Sequence, residues 1–436
     1  MDHLRPAKAV APGGADQKTR TAALVLPSLT CMPSVALLFG RELRAAFSHL
    51  RALQGWRVTR WASASFDSGL LLYVLTLFIA TRISLLVIGV ISRVLIRPLL
   101  GQPLTTYTPL LVLDVWGVWD TRWYLDIARN GYSSTPIGPS GETTTAFFPL
   151  FPVLARIGAA IVGDFFLSGV LISNLALLIS GITLHRLVMA DGGDRRLAYG
   201  AVRYMFFFPS AFILSGFLSE SLFLMLLLSC FYFARTGRWA VAGVVGFLLA
   251  LVRPVGILAT PALLLAYLAN VRWNWSRIRL DISYLLLVPG GLIAYAVYLR
   301  FLTGNFFHFV QPVGSWGRML SNPFEVLVRG MLSDNLHLLF GSWFLVACLA
   351  LLVANARSLG YPYLILGLIL LLGPLTTGMI SLRSEGRYAL AAFPLYISLA
   401  RLGQRNSSID HGLTGICAIF QGFLMVFWAN RSALII

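Results

Sequence analysis

Charge is what this chain has least of. Of its 436 residues only 12% are Asp, Glu, Lys or Arg, against 58% hydrophobic, and the mean hydropathy is +0.79. A soluble domain carries about twice that charged share, so a single water-soluble globule is excluded, as are disorder and coiled coil. Lysine is nearly missing: Lys8 and Lys18 are the two present, and the remaining basic residues are arginine. Cysteine is sparse. Cys31, Cys230, Cys348 and Cys417 lie singly in apolar stretches without CxxC spacing, which implies neither a disulfide framework nor a zinc site. HExxH, P-loop and GxSxG motifs are missing, as is GxGxxG in a strand-to-helix context, and no cofactor is implied.

What is present is apolar sequence punctuated by arginine. A nucleic-acid binder would cluster its excess of basic residues on one soluble face. Here the net charge of +17 is scattered between apolar runs, which is membrane topology information. Runs approaching the ~20 residues that span a bilayer begin with 68–95 and continue with 168–189, 200–217, 219–234, 238–252, 255–270, 282–303, 336–354, 361–378, 388–402 and 412–430. Segment 147–163 reads as re-entrant or shallow. The expected fold is therefore an all-α polytopic membrane bundle of about eleven or twelve spans. Arg186, Arg195, Arg196, Arg203, Arg235, Arg238, Arg272, Arg277, Arg279, Arg357, Arg401 and Arg405 fall between alternate spans and put those connections on the cytoplasmic side. Loops 96–147 and 304–335 and turn 381–387 then face outward.

Residues 1–67 form an N-terminal extension ahead of the membrane domain 68–436. Its apolar stretch 22–40, broken by Pro27 and Pro33, reads as a signal-like segment or an extra span, and Met32 is an alternative start. Segment 41–61 carries five arginines among Leu, Phe and Trp, the pattern of a basic helix on an anionic leaflet.

Loop 96–147 is long for a membrane-protein connection, and long loops are usually functional or disordered. It contains Asp114, Asp120 and Asp126 among tryptophans. Trp119, Trp123 and Ile127 recur at helical spacing and Gly131 follows as a stop, so a short amphipathic helix at the outer interface is expected. Asp120 opens that helix. It is either an N-cap, its carboxylate accepting backbone N–H bonds, or a general base at the membrane surface. The two roles are compatible.

Trp119-Asp120 with Tyr124, Ile127-Ala128, Gly131-Tyr132 and Ala146-Phe-Phe-Pro-Leu-Phe-Pro152 resembles the PIG-V type of mannosyltransferase, in the GT-C class of multi-span glycosyltransferases. The likeness continues at Pro209-Ser-Ala-Phe212, Ser219-Glu-Ser-Leu-Phe223, Phe309-Val-Gln311, Trp316-Gly-Arg318 and Arg387-Tyr388, in the same order over about 70–390. The resemblance implies inverting transfer of mannose or a similar hexose, from a polyprenyl-phosphate donor to a glycolipid or glycan acceptor on the non-cytoplasmic face. It makes Asp120 the base. Asp114, in the same loop but outside the motif, is the second candidate.

An already anionic phosphate leaving group needs no acid, and arginine neutralises it bidentately. Arg383, Arg387 and Arg318 are candidates for that role. Lipid-phosphate anchoring, or a pair with Glu385, explains Arg383 and Arg387 equally simply. Glu220 at a span end reads as functional or as a turn residue capping the following helix. Arg253 reads as a snorkelling anchor. Gln311 and His308 suit sugar hydroxyls, Trp316 suits a sugar face and Tyr388 is a further substrate-binding candidate, whereas Asp334, Asn335 and His337 read as the start of a capped helix. A transporter or flippase would instead place ionisable groups at midplane on broken helices, and a non-catalytic subunit of a glycosyltransferase complex would share the same span pattern. The expected setting is a bacterial plasma membrane, with membrane lipids as partners, a partner subunit an open option, and no nucleic acid.

Overall fold

A computed structural model of the chain describes residues 67–135, 141–311, 314 and 317–432. The extension with its basic segment 41–61 lies outside the described residues, as does Trp316. Among the described residues every regular element is helical. Five helices among the described residues are long and apolar enough to cross a membrane: Ser68–Leu100, Phe165–Ala190, Leu280–Thr303, Leu336–Ala354 and Ser407–Ala429. The chain is an integral membrane protein.

The other apolar segments are shorter, and proline shows why. Segment 200–217 becomes helix Arg195–Phe207 followed by the 3-10 turn Ala211–Ser215. Phe208, forced out of helical backbone by the following Pro209, adopts ψ 138°. Segment 388–402 is divided into Glu385–Ala391 and Pro394–Arg405. Segment 361–378 passes into a 3-10 turn at Gly373-Pro374. Segment 147–163 contains helix Leu150–Val162 of 13 residues, about 20 Å at 1.5 Å per residue, well short of a ~30 Å hydrocarbon core.

Side-chain caps start several helices. Asp67, Asp164 and Asp194 accept from the backbone N–H three residues on, and Asn335 caps Leu336–Ala354 through the N–H of His337 at 3.0 Å, as its position suggested. Helix Phe165–Ala190 packs along Glu220–Arg235, Pro394–Arg405 along Arg195–Phe207, and the last helix Ser407–Ala429 returns to the first. This closure brings segments far apart in sequence to one end of the bundle.

Candidate active site

The site begins with the short helix Thr121–Asn130, which Gly131 terminates at φ 84°. Its packed face is Thr121, Tyr124, Leu125 and Ala128, offset from the expected Trp119–Trp123–Ile127 stripe. Ile127 is buried, but Trp119 precedes the helix, edge-on to Trp428, and Trp123 stacks on Phe147 with centroids 5.7 Å apart.

Asp120 holds the N-cap position, yet its carboxylate makes no capping bond. The expected cap is therefore corrected: Asp120 Oδ2 accepts instead from Arg387 Nη2 at 2.7 Å. The same Nη2 donates to Glu220 Oε1 at 2.6 Å, and Arg387 Nε reaches that oxygen at 2.8 Å. Arg253 Nη1 adds a bond to it at 2.9 Å. Two carboxylates and two guanidiniums thus form one charge-balanced cluster. Its inner members are enclosed, with Glu220 2% and Arg387 9% exposed, while Asp120 is 30% exposed. Asp120 is thus the most exposed of the cluster's side chains.

The backbone around the cluster is tied together by the motif residues. Phe217 N–H donates to Trp116 C=O at 2.9 Å, and Thr121 Oγ1 donates to Phe217 C=O at 3.3 Å. Tyr124 O–H and Ser219 Oγ share a 2.9 Å bond. These contacts fix the turn before Glu220 against the turn carrying Asp120. Ser210 Oγ donates to Gly386 C=O at 2.6 Å, which seats the short helix bearing Arg387. The Glu220 carboxylate, at the first position of its helix, is bonded to Arg387 and Arg253 and also accepts its own backbone N–H, so an ionic role is added to the helix-start role expected of Glu220. Arg253, read as a snorkelling anchor, is turned inward onto Glu220.

The remaining candidates separate. Arg318 Nη2 donates to Tyr388 O–H at 3.0 Å, beside Arg387. Backbone bonds from Met319 to Thr377 and from Ser321 to Thr376 hold the Arg318 segment there. Arg383 is partly buried with Nε unpartnered. Glu385 is 1% exposed with neither oxygen bonded, so the suggested Arg387–Glu385 pair does not form, and burial pushes the Glu385 carboxyl well above the usual range. Gln311 is exposed, and His308 Nδ1 lies 2.9 Å from Thr145 Oγ1. Arg253, Arg387 and Tyr388 line a cavity of about 20 Å³ whose apolar walls include Phe223, Val255, Leu258 and Ile369.

Asp114 is placed elsewhere. It is fully buried in an ion pair with Arg93, and its Oδ1 also accepts the N–H groups of Thr106, Tyr107 and Thr108. Burial pushes its carboxyl up, but those backbone bonds and Arg93 outweigh burial and hold it below the usual range. A carboxylate with no exposed face is unsuited to receive a proton from an acceptor, so Asp114 as second base is corrected to an anchor of the loop. Sequence reasoning missed Arg93; a basic residue in the last turn of an apolar span was the only available hint. Among the described residues no three His, Cys, Asp or Glu side chains gather as a metal site would require.

The helical membrane architecture and an ionic cluster at one end of the bundle define a class: a polytopic membrane protein with a partly enclosed carboxylate–arginine site. Residues 73–274 match the model of the family described as Mannosyltransferase (PIG-V), and the chain is similar to that family. No curated protein matches it. Among solved structures it is similar to ArnT from Cupriavidus metallidurans bound to undecaprenyl phosphate, at 15% identity and TM-score 0.47, covering 78% of this chain and 62% of that one. It is also similar to the oligosaccharyltransferase from Archaeoglobus fulgidus with a tethered acceptor peptide, at 13% identity and TM-score 0.41, covering 81% of this chain and 55% of that one. The chain thus spans less than two thirds of the length of either structure.

Proposed function

We propose that the chain is a membrane glycosyltransferase that moves mannose or a similar hexose from a polyprenyl-phosphate donor to a lipid-linked or cell-surface acceptor, on the non-cytoplasmic face and with inversion. The observation that carries the reading is the Asp120 carboxylate, held at one oxygen by Arg387 and 30% exposed. The match to the mannosyltransferase family covers both Asp120 and Glu220.

In this reading Asp120 accepts the proton of the acceptor hydroxyl as that oxygen attacks the anomeric carbon. The carbon–oxygen bond to phosphate breaks on the opposite face, and its electron pair leaves on the polyprenyl phosphate. Arg387 orients the base. Because Glu220 also draws on Arg387, the guanidinium's charge is divided and Asp120 is not locked into a full ion pair. Arg253 and Arg318 keep donors beyond their protein bonds and are suited to the phosphate. Arg387, first considered for that task, already directs Nε and Nη2 at carboxylates.

The test gives radiolabelled polyprenyl-phosphate mannose and a lipid extract to membranes containing the protein. A labelled glycolipid made by wild type and lost in Asp120→Asn supports the proposal. Labelled donor translocated without product indicates a transporter, and product undiminished in Asp120→Asn removes the base assignment.

A further inference from the structure

Away from the Asp120 cluster, three arginines converge where the first and last helices end. Arg93 and Arg97 lie in the final turns of the span Ser68–Leu100, the depth at which lipid headgroups sit, and both are turned inward at 0% and 1% exposure. Arg93 Nε and Arg97 Nη2 donate to the Ala429 carbonyl at 2.8 and 2.9 Å. Arg97 Nη1 donates to Pro103 C=O at 2.9 Å. Arg431 lies over the Tyr107 ring, its guanidinium carbon 5.0 Å from the centroid. Arg93 and Arg431 both stand close enough to Arg97 to repel its charge, and Asp114 close enough to attract it.

The charges in this cluster do not balance. Among the described residues one carboxylate, Asp114, is bonded within the cluster against three guanidiniums, and it is already occupied by three backbone N–H groups and Arg93. The C-terminal carbonyls of helix Ser407–Ala429 supply only about half a negative charge. Arg97 Nε, Arg431 Nε and Arg431 Nη2 are buried without any hydrogen-bond partner, and so is an acceptor beside them, Asn430 Oδ1. Buried charges ordinarily have partners, because desolvating one alone is costly. Unsatisfied donors together with an unsatisfied acceptor call for a ligand that offers both oxygen acceptors and a hydroxyl.

We propose that this cluster is a binding site for the headgroup of an anionic phospholipid bearing a hydroxyl, phosphatidylglycerol being the simplest. The phosphate accepts from Arg97 and Arg431, and a headgroup hydroxyl donates to Asn430. The surroundings favour a lipid over a free phosphate. Leu99, Leu100, Leu104 and Leu110 are 85%, 57%, 39% and 61% exposed around the cluster, a rim suited to acyl chains.

The test measures thermal unfolding of the purified full chain in a neutral detergent, with phosphatidylglycerol, phosphatidylcholine or inorganic phosphate added, and counts retained lipids by native mass spectrometry. Phosphatidylglycerol raises Tm by roughly 5 °C and stays bound, while the other two do neither. Arg431→Gln loses the shift and the bound lipid. Arg431→Lys, which keeps the charge without the fork, retains part of both and covers the case in which the glutamine variant fails to fold. An equal shift with phosphatidylcholine, a full shift with inorganic phosphate alone, or a wild-type response in both variants overturns the proposal.

Discussion

Arg387 Nη2 donates at once to Asp120 Oδ2 and Glu220 Oε1, at 2.7 and 2.6 Å, across 267 and 167 residues of sequence. One guanidinium therefore couples the first long loop to two later segments. Glu220 sits at its inner, enclosed side, and Asp120 at its open side.

Replacing Asp120 by Asn keeps the side chain's shape and removes the proton acceptor. The Asp120 carboxylate makes no capping bond, and its pair with Arg387 is open to solvent on the Asp120 side at 30% exposure, so less stability is lost than at an enclosed pair. Transfer of labelled sugar is expected to fall by about 10²- to 10⁴-fold, the usual contribution of general base catalysis. Tm in detergent should move by no more than a few degrees.

Glu220→Gln is expected to behave differently. It leaves Arg387 and Arg253 facing a neutral amide in an enclosed place, and breaking a buried pair costs about 3–5 kcal/mol. Denaturant unfolding should show a loss on that scale. Arg253→Gln, at a side chain 20% exposed, should cost distinctly less.

Asp114→Asn is a stability variant in this picture. It removes the charge partner of buried Arg93, and folded yield should drop sharply, while whatever protein folds retains transfer activity per molecule. The wild-type pH dependence has a definite sign. The Asp114 carboxyl is depressed in the folded chain, so its stabilisation is present above the unfolded value near 3.9 and is lost as pH falls through the lower folded value. Acid titration of Tm should therefore show a steeper decline below about pH 4 in wild type than in Asp114→Asn.

Gly341→Ala tests the seat of Arg387 from a distance. A Cβ there would collide with the backbone carbonyl oxygen of Leu382, which has no flexible end to move aside. Overpacking of this kind costs about 1–3 kcal/mol. It should also displace the segment leading to Arg387, lowering transfer beyond what the change in Tm accounts for. Normal turnover in a variant that unfolds at the wild-type temperature would sink this account.

Much of the architecture was legible in sequence because it rests on local chemistry. Apolar runs without charge must bury their backbone in helices, so 168–189, 336–354 and 412–430 correspond closely to helices in the structure. Gly131 and Asn335 acted where expected, since a helix stop and an N-cap need only neighbouring residues. Proline divided 200–217 and 388–402 for equally local reasons, although hydropathy counted each as continuous.

The partnerships of charged groups were not legible. Asp114 and Asp120 stand six residues apart in one loop with similar neighbours, yet one is fully buried on Arg93 and the other is open beside Arg387. Motif order singled out Asp120, Glu220 and Arg387 separately, but the return of later helices against the first loop decided that they meet. Sequence by itself settled where this chain is apolar and helical, because solvation and hydrogen bonding act residue by residue. Tertiary packing alone decided which arginine answers which carboxylate, because an ion pair depends on distances of a few ångströms between residues that the chain separates by hundreds.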